Sequence, residues 1–194
     1  LASDERNEEI VGIINEMEGE MEEDIKKRIF TGHHVLNAIL LERNEQALKK
    51  GIKLDIFVEN FLPVNFITDA DMISLFGNLL DNALEAAEKC EKGNQYVMAK
   101  FFMGNSYLFI LHMENTFIGE IKYDGDQLET TKDNTEQHGL GVGIIRKLVK
   151  KYNGTLDMEV RGDRFYTTLT ITVKNDCEDD CKNECENEEE REMC

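Results

Sequence analysis

Residues Asn78 to Ala87 read NLLDNALEAA. They lie inside a longer run, Asp69 to Lys92, whose apolar residues recur at three- and four-residue steps. Ile73, Phe76, Leu79, Leu80, Ala83, Leu84 and Ala87 together predict the buried face of one amphipathic helix. Asn78, Asn82 and Glu85 fall within about 60° of one another on a different face. Asn is a poor helix former that favours caps and turns, so two of them in mid-helix call for a reason. One reason is chemical: an Asn side-chain carbonyl is an oxygen donor to Mg²⁺, which takes few protein ligands and fills its shell with water and phosphate. The other is that both amides satisfy nearby backbone. The pair alone leaves both readings standing.

Downstream, His138 to Gly154 reads HGLGVGIIRKLVKKYNG. Gly139, Gly141 and Gly143 lead into a predicted amphipathic helix from Leu140 to Tyr152. Glycines there allow close backbone approach, and a helix N-terminus offers free N–H groups and a positive dipole end to phosphate. A dinucleotide fold would need a strand directly before the glycines and a βαβ setting, and a P-loop would need GK[ST] after them. Neither pattern is present.

The rest of the chain supplies the frame. Lys53 to Glu59 alternates and predicts a strand, with the only proline, Pro63, in the loop beyond it. Tyr96–Met103 and Tyr107–Met113 predict a strand pair turning at Gly104-Asn105-Ser106. Residues 115–138 are polar and aperiodic, a loop long enough to suggest a functional lid. Thr155–Val160 and Phe165–Val173 predict a last pair turning at Arg161-Gly162-Asp163. Strand, helix, strand pair, loop, helix and strand pair make an α+β sandwich with helices on one face of a mostly antiparallel sheet. Before it, residues 5–50 predict two helices. Ile10, Ile13, Ile14, Met17, Met21 and Ile25 mark the first, and Val35, Leu36, Ile39, Leu40, Ala47 and Leu48 the second. Thr31-Gly32 separates them and Gly51 ends the second. Each has one apolar stripe, so the two predict a helical hairpin or a piece of a bundle.

Together, NLLDNALEAA and HGLGVGII resemble the N box and the second glycine box of the GHKL ATPase superfamily (gyrase, heat-shock chaperone, histidine kinase, MutL). The closer resemblance is to sensor histidine kinases of the quorum-sensing peptide-receptor type. TGHHVLNAILLERNEQALKKGIKL, Thr31 to Leu54, is similar to their second dimerisation helix and its run into the first strand. The resemblance covers roughly residues 5 to 174. It implies a two-layer α/β sandwich of the GHKL (Bergerat) ATP-binding type, with a mixed sheet, preceded by part of a helical dimerisation hairpin. It also implies ATP and Mg²⁺ as ligands, with Asn82 coordinating the Mg²⁺ and Asn78 beside it as the second catalytic position. Lys132 becomes a candidate phosphate contact, Gly139, Gly141 and Gly143 a phosphate-cradling lid hinge, and His138 a nucleotide-facing lid residue. Superfamily members that hydrolyse ATP carry a Glu general base where Asn78 stands, and an amide cannot take that proton. The resemblance thus favours transfer of the γ-phosphate to a His on a dimerisation helix, and then to a response regulator.

Two positions depart from the family pattern. The first glycine box is reduced to Asn115, in place of an adenine-reading Asp, with Gly119 as a remnant. An amide oxygen still accepts a hydrogen bond from the adenine amine, without the charge assistance of a carboxylate. No His lies upstream of Thr31, so the phosphoacceptor helix is expected to be missing. His33 and His34 open the second dimerisation helix and fit a surface or dimer-facing pair. His112 lies in a strand and fits a core or sheet-edge role.

Charge and cysteines bound the partners. The 194 residues carry a formal charge of −18, which argues against nucleic acid or an anionic membrane surface as the main partner. From Asn175 to Cys194, ten acidic residues stand against Lys182 and Arg191, a net of −8. Cys177, Cys181, Cys185 and Cys194 share this stretch without the paired C-x-x-C spacing of a metal site. It predicts a self-repelling acidic tail with reduced thiols. The expected division is a partial dimerisation hairpin at 1–51, an ATP-binding domain at 52–174 and the tail at 175–194. A start at Leu1, with no apolar run of membrane-spanning length, suggests the cytoplasmic part of a longer membrane sensor, a homodimer joined to the membrane through an N-terminal region missing here. Competing readings are a nucleotide-binding or catalytically dead module acting by protein contact, and a GHKL protein serine kinase. A bare helical scaffold would make both boxes coincidence.

Overall fold

Gly51 ends the first helix because only a residue at ease with positive φ closes it well. At φ 70° its N–H and that of Ile52 donate to the carbonyls of Leu48 and Ala47 at 3.1 and 2.9 Å, capping two of the carbonyls left over at the helix end. This helix, α1 (His34–Lys50), runs directly into strand β1 (Lys53–Val58). The computed structural model describes residues 31–59, 62–119, 122–124, 127–129 and 139–173. The first predicted helix of the hairpin and the acidic tail lie outside the described residues, as do Lys132 and His138.

After β1 come α2 (Asp69–Glu88), β2 (Tyr96–Asn105) and β3 (Leu108–Thr116). Then follow the short strands β4 (Lys122–Asp124) and β5 (Gln127–Glu129), α3 (Gly139–Lys151), β6 (Gly154–Arg161) and β7 (Arg164–Thr172). The main sheet has the order β1-β2-β3-β7-β6. β1 and β2 pair in parallel, bridged by α2, and the remaining pairs are antiparallel. This is the expected α+β sandwich with a five-stranded mixed sheet. Two details differ from the sequence reading. Within residues 115–138, read as aperiodic loop, β4 and β5 pair as a small separate hairpin, too short to show a period of two. The turn between β2 and β3 moves to Ser106-Tyr107, with a register irregularity between Met103 and Asn105.

One core lies between the helices and the sheet. Phe76 of α2 sits against Phe101 and Phe109, with ring centres 5.7 and 6.0 Å apart, and all three are buried. α2 buries Met72, Leu75, Leu79, Leu80, Ala83, Leu84 and Ala87 alongside. Ile73, read as part of that face, is instead 55% exposed. It stands one residue round the helix from the buried Met72, so three- and four-residue spacing alone assigned it to the wrong side. α1 adds Leu36, Ile39, Leu40 and Ala47 to the same core, so this helix packs on the sandwich with the stripe that the sequence assigned to a hairpin. Among the described residues no helix is long and apolar enough to cross a membrane.

Candidate functional site

The site lies where α2 and α3 run beside each other, and both helices are fixed at their ends. Thr68 caps α2, its hydroxyl accepting from the Asp71 N–H at 3.4 Å. The Asp71 carboxylate takes the Lys151 ammonium and the Tyr152 hydroxyl, 2.5 Å away, and that hydroxyl accepts from the Thr68 N–H at 3.2 Å. The start of α2 is thereby clasped to the end of α3. The Lys151 ammonium, with the Tyr152 hydroxyl second, holds the Asp71 carboxyl down at about 2 from the ordinary 3.8. Just beyond this end of α3, Asn153 at φ 50° turns the chain into Gly154. There a Cβ would fall 2.4 Å from the Thr170 carbonyl oxygen, so the close approach of β6 to β7 requires glycine.

With the helices so placed, the middle of α2 faces the first turn of α3. Asn78 donates its amide to the Ser74 carbonyl one turn back, which fixes its rotamer and leaves Oδ1 aimed at α3. A Cβ on Gly141 would stand 3.0 Å from that Asn78 Oδ1 and 4.0 Å from Asn82 Oδ1. Two amide oxygens thus converge on a bare stretch of helix backbone. Asn78 is half-buried and Asn82 exposed. The helix predicted from Leu140 to Tyr152 runs from Gly139 to Lys151, so Gly139, Gly141 and Gly143 all belong to its first turns. The absence of a side chain at Gly141 serves the approach of α3 to Asn78 rather than a coil.

Asn115 lies at the end of β3 with only 4% of its surface exposed. Its amide donates to the Thr116 carbonyl at 2.9 Å, an assignment that leaves its oxygen as the acceptor. The strand end is pinned by Thr116, whose hydroxyl accepts from the Tyr96 N–H at 3.0 Å and donates to the Tyr96 carbonyl at 3.3 Å. Gly119 has φ 139°, a conformation that disfavours a side chain.

Sequence reasoning passed over Arg43. From α1 it reaches Asp81, Nη2 donating to Oδ2 at 3.0 Å and Nε lying 2.7 Å from Oδ1. The same Nη2 passes 3.5 Å from where a Cβ on Gly77 would be. Asp81 and Gly77 immediately precede Asn82 and Asn78, so α1 grips α2 next to both amides. His33 and His112 stand apart. His33 Nε2 lies 3.6 Å from Asp69 Oδ1, and Asp69 is 13 residues, or roughly 20 Å of helix, before Asn82. His112 is on the central strand β3, not at a sheet edge, with Nδ1 3.0 Å from Thr168 Oγ1. Among the described residues no three His, Cys, Asp or Glu side chains cluster as a metal site, so a cation between the helices would depend on amide oxygens and on its ligand.

The sequence profile of the GHKL domain matches residues 67–172, more than half of the chain, from the N-cap region of α2 to the last residue of β7. The chain belongs to the GHKL domain family. Solved structures share its fold. The catalytic domain of the histidine kinase ThkA aligns with a TM-score of 0.56 at 17% identity, over 74% of this chain and 94% of that one. The mycobacterial sensor histidine kinase MprB aligns at 0.51 and 15%, over 71% and 95%. Full-length ShkA in complex with AMPPNP aligns at 0.54 and 15%, over 73% of this chain and 30% of that one. No curated protein matches the chain in sequence. The GHKL match includes Asn78, Asn82, Asn115 and Gly141, and leaves α1 and β1 outside it.

Proposed function

We propose that this GHKL domain is the ATP-binding catalytic portion of a two-component sensor histidine kinase. The observation that carries the reading is the convergence of the Asn78 and Asn82 oxygens on the bare backbone at Gly141. Neutral oxygen donors beside the first turn of a helix suit a polyphosphate with its cation: the amides face the cation, and the free N–H groups of the helix N-terminus face the anion. The residues present fit Mg²⁺ and ATP in this respect. Asn82, exposed at the mouth, would hold the cation and Asn78 would stand beside it. The N-terminus of α3 at Gly139–Gly143 would take phosphate, with Lys132 and His138 of the lid as further contacts. Asn115 would accept from the adenine amine. Bound Mg²⁺ supplies charge neutralisation on the phosphates.

The catalytic work assigned to this chain is positioning and electrostatics. Asn78, its amide committed to Ser74, has no group that could deprotonate water, which favours transfer over hydrolysis. The P–O bond to ADP breaks as an N–P bond forms to an imidazole on a dimerisation helix, and the phosphoryl group then passes to an Asp of a response regulator. The dimerisation hairpin at 1–51, the catalytic domain at 52–174 and the acidic tail at 175–194 belong to this reading. So do homodimerisation, a cytoplasmic position below a membrane sensor, and kinship with the quorum-sensing peptide-receptor kinases. The last is supported by Thr31–Leu54.

Calorimetric titration with AMPPNP, with and without Mg²⁺, tests the reading. Mg²⁺-dependent binding in the micromolar to low-millimolar range is expected. The uncharged Asn115 and reduced first glycine box favour a second reading, a kinase-like module that acts by protein contact. Absence of binding at millimolar AMPPNP would select it.

A further inference from the structure

In the reading above, a dimerisation hairpin meets the catalytic domain at Gly51, and the chain has no slack there. The Gly51 and Ile52 N–H groups are bonded back to carbonyls of α1, and the Lys53 N–H already donates to the Gln95 carbonyl at 3.0 Å to open the β1–β2 ladder. Ile52 between them is buried. A swing of the domain about Gly51 would break all three bonds and expose Ile52.

α1 is also held along its whole length. It runs parallel to α2, with His33 Nε2 3.6 Å from Asp69 Oδ1, Arg43 Nε 2.7 Å from Asp81 and Lys50 Nζ 2.7 Å from Glu88. The last two pairs are each 38 residues apart, so the helices keep one register. The entry is tied as well. The Thr31 N–H and hydroxyl both donate to Asn37 Oδ1, at 2.9 and 2.7 Å, and Thr31 is buried.

An amphipathic helix has one apolar stripe to bury. In α1 that stripe is spent inside the domain: Leu36, Ile39, Leu40 and Ala47 are in the core, and Val35 and Leu41 pack against it. The outer face carries His34, Glu42, Glu45, Lys49 and Lys50, with Leu48 its one exposed large apolar side chain. The same residues cannot serve a helical bundle at the same time.

We propose that α1 is a fixed part of the catalytic domain and not half of a dimerisation hairpin. The rigid body begins at Thr31, dimerisation falls to residues ahead of it, and any swing of the nucleotide site carries α1 along. The inference is independent of which ligand the site takes. Within the reading above it moves the border of the dimerisation segment from Gly51 to Thr31.

Hydrogen exchange of the full 194-residue chain tests it, read by mass spectrometry in a urea series at two protein concentrations about a hundredfold apart. Peptides of 36–50 are expected to be as protected as those of 72–88, to lose protection at the same urea midpoint, and to do so at both concentrations. Loss of α1 protection at lower urea than α2 would mark a separate helix, and loss on dilution a helix held by a second copy. Either would overturn the proposal. Leu40→Ala lowers the midpoints of 36–50, 72–88 and 108–116 together; release of 36–50 alone would overturn it equally. Leu48→Glu, on the outer face, leaves the sedimentation profile unchanged, and a dimer lost in that variant would place the interface on α1 after all. No nucleotide is present in these measurements, so their outcome is separate from that of the AMPPNP titration.

Discussion

Asn78 Oδ1 lies 3.0 Å from the point that a Cβ on Gly141 would occupy, and this contact sets two effects against each other. Alanine inside a helix is preferred over glycine by up to about 1 kcal/mol. Yet a methyl group at 141 presses on an oxygen whose side chain is already fixed by its bond to Ser74. Asn78 can give way only by turning from the site. Gly141→Ala is therefore expected to leave thermal stability within about 1 kcal/mol of the parent and to weaken AMPPNP binding about tenfold, a 1.4 kcal/mol loss. Calorimetry and thermal denaturation of the same sample check both. Full affinity with unchanged stability would mean that Asn78 does not face the ligand.

Asn82 separates ligation from folding more cleanly. It is exposed, so Asn82→Ala should change stability by less than about 0.5 kcal/mol. If its oxygen holds the cation, Mg²⁺-dependent nucleotide binding is lost while the fold, followed by circular dichroism, is retained. Asn82→Asp is expected to fail as well, since the proposed site is built from neutral oxygens beside a polyanion. Binding by either variant at parental affinity and parental Mg²⁺ dependence would remove Asn82 from the site.

Much of this site was legible because its signals are local. Asn78 and Asn82 stand out in mid-helix against their propensity, and Gly51 and Asn153-Gly154 announce helix ends through backbone chemistry. Alternation gave most strands to within a few residues. Most of the failures are tertiary. Arg43 and Asp81 are 38 residues apart, and no window on the sequence joins them. Ile73 has the spacing of a core residue, but the width of the buried stripe depends on what packs against it. β4 and β5, three residues each, are too short to carry a period.

The Arg43–Asp81 pair predicts a link from α1 to the candidate site. The Arg43 side chain is 14% exposed and that of Asp81 43%, so the pair lies between a surface bridge and a buried one. Arg43→Ala should cost about 1–2 kcal/mol, between the values for those extremes, in urea denaturation. It should also weaken AMPPNP binding, because Asp81 and Gly77 directly precede the two amides. Arg43→Lys keeps the charge but cannot reproduce the two-nitrogen contact. It should recover stability better than affinity. Stability loss with affinity untouched in both variants would make the pair a packing feature alone.

The clasp at Asp71 predicts how stability depends on acid. The carboxyl titrates at about 2 in the folded chain against an ordinary 3.8, so the unfolded chain binds the proton first. Its contribution is complete above 3.8 and is lost as pH falls through about 2. Asp71→Asn removes the charge and with it this part of the slope. The variant should be less stable than the parent at neutral pH, and the difference should close as acid approaches the lower value. On the alkaline side the partner behaves oppositely: Asp71 holds the Lys151 ammonium above 10.5, so its contribution persists at neutral pH and fades only as pH rises past that value. Urea midpoints of both proteins between pH 7 and 2, at constant ionic strength, measure the first effect. A difference that stays constant with pH would show that Asp71 acts through packing or the Thr68 cap, not through its charge on Lys151.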